Sequence, residues 1–345
     1  MKAFNFSMSC VAAAAFAVTT TSALADPLML RLADSLPNNH IIHQIVTKPF
    51  MEAVKKASDG QITFQHFPGE QLGKAKDLLA LTRAGLADIG YVGPSYISDK
   101  MPLSSALELS GAFADHCQAS RAVWNLTHDG GYLERKEFAP NHIVALVTLM
   151  LPTYQILLGN ARSVDTLKDL SGLKVRSAGG AMDFVLKDLN MVPVRMTPPE
   201  IYEALSRGTI DGALFPFQSA NSYGLIPKLK SGTYKENFGT VVLTYSMGET
   251  KWKRLPEGVR TILMQVGKDI SLAACKSFLR AEQDALQKAL DGGMKTIAFN
   301  DADEKELATE FAKAAQEWAA SLDKRGKPGT ETLVAVRKAL SDERQ

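Results

Sequence analysis

The sequence predicts an α/β protein of two similar lobes facing each other across a cleft, with hinge strands between the lobes and one long helix spanning both. Three observations predict it. First, the run from Val164 to Phe217 reads strand, helix, strand, helix, strand, with apolar spacing that switches between period two and the helical period. Second, LLALTRAGLADIGYV (residues 78–92) and IYEALSRGTIDGALF (residues 201–215) share one order: helix, Arg, Gly, an Asp three residues after that Gly, then an apolar strand. Such a weak internal repeat points to two related units. Third, Val259, Ile262, Leu263, Val266, Ile270, Ala273, Ala274 and Phe278 recur at spacings of three and four within Glu257–Leu290. About 34 residues at ~1.5 Å each make a helix of roughly 50 Å, longer than one small lobe.

A chain of 345 residues, 46% apolar, with a net charge of +2 fits about two domains. The near-neutral balance, without a basic run interleaved with aromatics, argues against a nucleic acid or another polyanion as partner. The first 25 residues differ from the rest. Lys2 is a thin positive start, Cys10–Val18 is apolar, and Ala23-Leu24-Ala25 offers a small-residue cleavage site, so a secretory signal peptide is expected over 1–25, and with it export. Later segments never reach 18 consecutive apolar residues, and Cys10 precedes the apolar core rather than following it. The mature protein is therefore expected to be soluble, with no membrane span and no lipid anchor. Cys117 and Cys275 remain; far apart in sequence, they are expected to be buried free thiols rather than a pair.

Met29–Leu32 suits the first strand, followed by a polar loop to Asn39 and a helix over Ile41–Ser58. His40 and His43 stand i, i+3, yet no carboxylate or cysteine completes a metal set, so no metal is expected and His40 is read as a donor into the cleft or as a plain helix-start residue. Gln61–Phe67 alternates as a strand, Lys74–Arg83 is helical, and Ile89–Val92 is a strand leading to Tyr91, Gly93-Pro94 and Tyr96 as one cleft wall. Ile143–Leu149 completes the first lobe. Leu151-Pro152-Thr153 then interrupts the apolar run, and Tyr154–Leu158 opens the second lobe; Thr240–Tyr245 crosses back. The expected division is 26–150 with 241–283 as the first lobe and 151–240 with 284–345 as the second.

Within the second lobe, Leu173–Arg176 is a strand that ends in an arginine, and Gly179-Gly180 turns into a helix over Ala181–Leu189. Ligands of open α/β sheets bind outside the carboxyl ends of strands, and a guanidinium beside a helix N-terminus can clamp a carboxylate through two hydrogen bonds. A solvated arginine is the alternative. Val192–Arg195 is the next strand, Thr197-Pro198-Pro199-Glu200 a capping box for the helix Ile201–Ser206, and Ile210–Phe215 the strand after it. Lys295–Phe299 is a last strand, followed by helices from Asp301 to Trp318 and beyond Pro328.

Neither a G-x-S-x-G elbow, a P-loop, H-E-x-x-H nor a paired C-x-x-C occurs, and all six histidines precede residue 143. No enzyme activity and no cofactor are expected.

Three groups of residues carry a family resemblance over nearly all of the mature chain. Pro68-Gly69-Glu70-Gln71-Leu72-Gly73 is similar to a P-x-x-Q-L-G turn with Leu86-Ala87-Asp88 after it; Asp169-Leu170-Ser171-Gly172-Leu173-Lys174-Val175-Arg176 to D-L-K-G-L-K-[IV]-R; and Pro193–Met196, Glu200–Leu205 and Gly208–Gly212 to the series P-V-P-M, E-x-Y-x-A-L and G-x-x-D-G. The chain thus resembles the solute-binding proteins of tripartite ATP-independent periplasmic (TRAP) transporters, of DctP type. That resemblance implies the two-lobed periplasmic binding protein fold, capture of a small organic acid by lobe closure, delivery to TRAP permease subunits in the membrane, and Arg176 as the carboxylate-binding residue. A monomer is expected. A periplasmic sensor and an exported enzyme of other chemistry are the alternatives.

Where the family carries Q-E-N-P, this chain has Ala213-Leu214-Phe215-Pro216, so Phe215 replaces an amide. Tyr154 and Gln155 stand where a second polar or basic contact is usual, and Gln218 follows shortly after Phe215. An aromatic wall of Phe215, Tyr91, Tyr96 and Tyr154 rewards apolar area and leaves a sugar's hydroxyls unpaired. The expected ligand is a monocarboxylate with an apolar or aromatic body, unless Phe215 turns into the core.

Overall fold

A computed structural model describes Met1, residues 27–160 and residues 162–343. Residues 2–25 of the expected signal peptide lie outside the described residues. The described chain forms eleven strands: β1 (Leu28–Ala33), β2 (Ile62–Phe67), β3 (Ile89–Val92), β4 (Ile143–Met150), β5 (Gln155–Leu158), β6 (Lys174–Ser177), β7 (Val192–Arg195), β8 (Gly212–Phe215), β9 (Ser231–Gly232), β10 (Val242–Gly248) and β11 (Lys295–Thr296). They build two sheets, ordered β2-β1-β3-β10-β4 and β11-β9-β5-β8-β6-β7. In the first, β1 runs parallel to β2 and β3 while β10 is antiparallel to β3 and β4. In the second, β8, β6 and β7 are parallel and β5 is antiparallel to β8.

The internal repeat has a physical meaning in these sheets. Asp88, just before β3, donates its backbone N–H to the Arg31 carbonyl at 2.9 Å and accepts the Arg31 N–H on its carboxylate at 2.8 Å. Asp211, just before β8, does the same with Lys174, at 2.7 Å in both directions. Each aspartate therefore clips its own strand to a parallel neighbour, which fixes the register of β1 with β3 and of β6 with β8. A helix precedes each clip, Leu78–Arg83 in one case and Ile201–Ser206 in the other. The capping box at Thr197 and Glu200 is present ahead of the second.

Besides the long helical connection from β10 to β11, two segments carry the chain between sheets, and they are bonded to each other. Leu151 N–H donates to Val241 O at 3.0 Å, Tyr154 N–H to Gly239 O at 2.7 Å, and Thr240 Oγ1 to Leu151 O at 2.6 Å.

The long helix spans Glu257–Asp291 without a break. Gly267 lies at its contact with β4. A Cβ at that position would lie 1.8 Å from the Leu146 carbonyl oxygen, so the missing side chain is what lets the helix press against β4. One turn on, Ser271 Oγ accepts the Thr148 N–H at 3.0 Å. Cys275 then forms a disulfide with Cys117, Cα to Cα 5.1 Å, which corrects the expectation of two free thiols. The helix His116–Thr127 packs on both β4 and the long helix and brings Cys117 to the latter, a contact across 158 residues that local spacing does not reveal.

Further differences are local. The expected Ile41–Ser58 helix is present over 41–57 with a wider, π-helical turn at His43–Thr47, and only Lys295–Thr296 of the expected last strand pairs, with β9. The helix Asp301–Asp323 packs on Met182–Asp188 beside the second sheet, but Gly329–Asp342 returns to the helix His116–Thr127, where Gln118 donates to Leu340 O. The chain's last segment thus touches both halves. Among the described residues no helix is long and apolar enough to cross a membrane.

Candidate functional site

Arg176 is the third residue of β6, level with Val194 on one side and Ala213 on the other. Its side chain is fully buried. Nε donates to Met196 O at 3.0 Å and Nη1 to Leu214 O at 3.1 Å, whereas Nη2 has no hydrogen-bond partner among the described residues. Both acceptors are backbone carbonyls of the same lobe. They orient the guanidinium without neutralising it, and no described carboxylate pairs with it. The nearest helix N-terminus is occupied by the chain itself: Asp183 in the first turn of Met182–Asp188 accepts from Ser177 Oγ and pairs with Arg195. The expected anion corner therefore reduces to the guanidinium.

Aromatic rings surround it. The Phe215 ring lies 5.2 Å from the Arg176 guanidinium carbon, with Tyr154 edge-on to Phe215 at 5.9 Å and Tyr223 tilted at 6.1 Å. Phe215 is buried, yet it is buried against the arginine rather than away from it. From the first lobe come Tyr91 in β3 and Tyr96 after it, 6.5 Å apart, with Tyr245 of β10 at 5.9 Å from Tyr91. A Cβ on Gly93 would sit 2.9 Å from the Tyr96 ring, so glycine is what allows that ring to fold over the backbone. Burial pushes the Tyr96 and Tyr154 phenols above their ordinary pKa, against a downward pull from the Arg176 charge. Both remain neutral donors facing the guanidinium's side of the cage.

His40 stands edge-on to Tyr223 at 5.0 Å. Its Nδ1 accepts the Ile42 N–H at 3.1 Å, which places the proton of the neutral ring on Nε2. Burial, with His43 close by, pushes its pKa down to about 3. The neighbouring Ile41 N–H donates to Ser222 Oγ at 3.1 Å, a direct bond from the first lobe to the second.

Two expected contacts fall outside this cage. Gln155 donates to Glu236 O at 2.6 Å and accepts from Thr233 Oγ1 at 2.8 Å; strand alternation turns it away from its neighbour Tyr154. Gln218 lines a pocket of about 280 Å³ with Asn39, Ile41, Asn221, Ser222, Ala281 and Lys288, where the Phe217–Ser222 helix meets the long helix. Larger surface cavities, about 510 Å³ beside Trp252 and about 420 Å³ beside Phe311, do not reach Arg176.

Three residues at or near the cage escaped sequence reading. Tyr223 follows a six-residue helix too short to show a period. Tyr245 belongs to a strand buried at every position, which hides alternation. Glu108, buried in the turn Leu103–Glu108, accepts from Ser95 Oγ and at 3.0 Å from the Val242 N–H, and leaves Oε2 unpartnered among the described residues. Burial pushes its pKa up to about 7.

Two α/β lobes joined by paired crossing segments, and closed over a buried arginine, define a two-lobed solute-binding protein. The chain belongs to the bacterial extracellular solute-binding protein family 7, the DctP family, whose model matches residues 32–321. It is 22% identical over 289 residues to a solute-binding protein of Albidiferax ferrireducens, covering 81% of this chain and 83% of that one. Its structure is similar to that of a marine metagenome TRAP solute-binding protein specific for aromatic acid ligands, solved with 3-hydroxybenzoate: TM-score 0.84, 22% identity, 93% of this chain and 100% of the other. A TRAP solute-binding protein from Rhodoferax ferrireducens with copurified benzoate superposes with a TM-score of 0.83 at 23% identity, covering 92% of this chain and 98% of that chain. Among the described residues no group of three or more His, Cys, Asp or Glu is placed to hold a metal ion.

Proposed function

We propose that this chain is an exported TRAP receptor that captures a monocarboxylate with an aromatic or apolar body by lobe closure and hands it to the membrane permease. One observation carries the reading: Arg176 is a fully buried cation that, among the described residues, has no counter-charge and leaves Nη2 without a partner. A buried unpaired ion costs several kcal/mol, and a ligand carboxylate supplies both the opposite charge and the missing acceptor. The rings of Phe215, Tyr91, Tyr96 and Tyr154 then face the ligand's body. Their apolar area favours a flat ring over a polyhydroxylated chain, whose buried hydroxyls would each cost about 1 to 3 kcal/mol if unpaired. The aromatic acids in the two similar structures support the same class. Export to the periplasm and action as a monomer belong to this reading.

A thermal-shift panel of benzoates, branched oxo acids, dicarboxylates and sugar acids tests it. A ligand at 100 times its dissociation constant stabilises by about 2.7 kcal/mol; aromatic monocarboxylates are expected to give that rise, and a response confined to sugar acids or succinate-like diacids would overturn the ligand class. Small-angle scattering on the same samples is expected to show a smaller radius of gyration with ligand, and identical radii would remove lobe closure. Loss of uptake on deletion separates the transport receptor from a sensor.

A further inference from the structure

Besides Arg176 and the edge-on Tyr154, the Phe215 ring is flanked by Tyr223, whose ring lies 6.1 Å away and whose hydroxyl is buried without a hydrogen-bond partner among the described residues. A phenol that only packed would cost nothing as phenylalanine. Placed as tyrosine in an otherwise aromatic setting, it carries an unpaired hydroxyl into the closed lobes. The side chain is held from the first lobe by the His40 ring, edge-on at 5.0 Å, and by the adjacent bond from Ile41 to Ser222. His40 adds a second donor here: with Nδ1 accepting from Ile42, the neutral ring presents Nε2–H. The hydroxyl is neutral, since burial raises its pKa, and it can both donate and accept.

We propose that Tyr223 reads a hydroxyl on the ligand's aromatic body, so that hydroxylated aromatic monocarboxylates bind in preference to their unsubstituted parents. This rests on the aromatic-acid reading of the cage and adds a second recognition point to Arg176. A ligand hydroxyl meeting Tyr223 gives both partners a hydrogen bond, whereas an unsubstituted ring leaves the phenol unpaired. The difference expected from satisfying one buried hydroxyl is roughly 10-fold in affinity.

Calorimetric titration of the wild type and Tyr223→Phe with benzoate, its 3- and 4-hydroxy derivatives and the matching fluorobenzoates tests the proposal. At least one hydroxybenzoate is expected to bind the wild type about 10-fold more tightly than both benzoate and its fluoro counterpart. Tyr223→Phe is expected to erase that advantage, so that it binds the hydroxybenzoates no more tightly than benzoate and the fluorobenzoates. Equal affinities across the wild-type series would overturn the proposal without any variant being made, and so would an advantage that survives in Tyr223→Phe. If no member of the series binds the wild type, the aromatic-acid reading itself fails; if benzoate binds and hydroxylation adds nothing, only the role of Tyr223 fails.

Discussion

Asp34 in the first lobe and Arg176 in the second are both buried charges at the ends of strands, and their surroundings are opposite. Asp34 accepts the Leu36 N–H at 3.0 Å on one oxygen, and His66 Nε2 at 2.9 Å with Tyr245 Oη at 3.2 Å on the other. Tyr245 is tied in turn to Thr47 Oγ1 at 2.6 Å. Arg176 has two backbone carbonyls, a free Nη2 and no carboxylate among the described residues. A fully paired buried network rigidifies its surroundings, while a half-paired one is a cost that something must offset. The first lobe uses its charge as frame; the second leaves one nitrogen of its charge without a partner among the described residues.

Removing the finished charge is expected to give the largest effect. Asp34→Ala strands His66, Tyr245 and the Leu36 N–H, and the loss is expected to reach about 3 to 5 kcal/mol, read as a lower urea midpoint. An unchanged midpoint would show that the network is not what holds the strand end. The unfinished charge is expected to behave in reverse. Arg176→Met removes a buried cation without a partner, so the ligand-free protein is expected to melt no lower than wild type, while affinity for the acid falls at least ~10-fold with the charge-assisted bonds. Arg176→Lys is expected to restore it only in part, because an ammonium cannot make the two-pronged contact. A lower melting point in Arg176→Met together with unchanged affinity would exchange the roles of the two charges.

Glu108 lies between these extremes, one oxygen paired and the other not. Its pKa, about 7 when folded, stands above the usual 4.5, so the folded protein keeps a proton that the unfolded chain has released across that window. The contribution is fully present below the unfolded value and is lost as pH rises towards 7. Glu108→Gln keeps the acceptor for Ser95 and Val242 and does not ionise, so its unfolding midpoint is expected to fall less than that of the wild type between pH 5 and pH 8. Glu137 and Glu282, also raised to about 7 by burial, retain their share of the slope. Parallel curves for variant and wild type would remove Glu108 from it.

The paired lobes were legible because the clips that build them are local: Gly85 to Asp88 and Gly208 to Asp211 sit on short stretches whose pattern repeats. Arg176 was legible for a related reason, since a strand end and a motif place it without any distant partner. What brings Tyr223 to His40, or Tyr245 to Asp34 across 211 residues, is tertiary. Side chains that meet only through tertiary folding leave no period in sequence, and the disulfide belongs with them. Gln155 was misjudged within a single strand. The alternation that turns Tyr154 inward turns its neighbour to Thr233, and the sequence near Tyr154 does not say which of the two faces the cleft.

The long helix is fastened at two places on one side. Cys275 bonds it covalently to the helix on the first sheet, and Glu282, seven residues on, accepts the Phe217 and Gln218 N–H groups of the second lobe at 2.8 and 2.9 Å. Two helical turns, about 10 Å of helix, separate a weld from a pair of hydrogen bonds. Turning one sheet against the other would load that short span, and the hydrogen bonds would give before the sulfur bridge does. Were the second lobe to turn on capturing a ligand, the helix would travel with the first lobe, and Phe217, next to the ring that covers Arg176, would be where the second lobe parts from it.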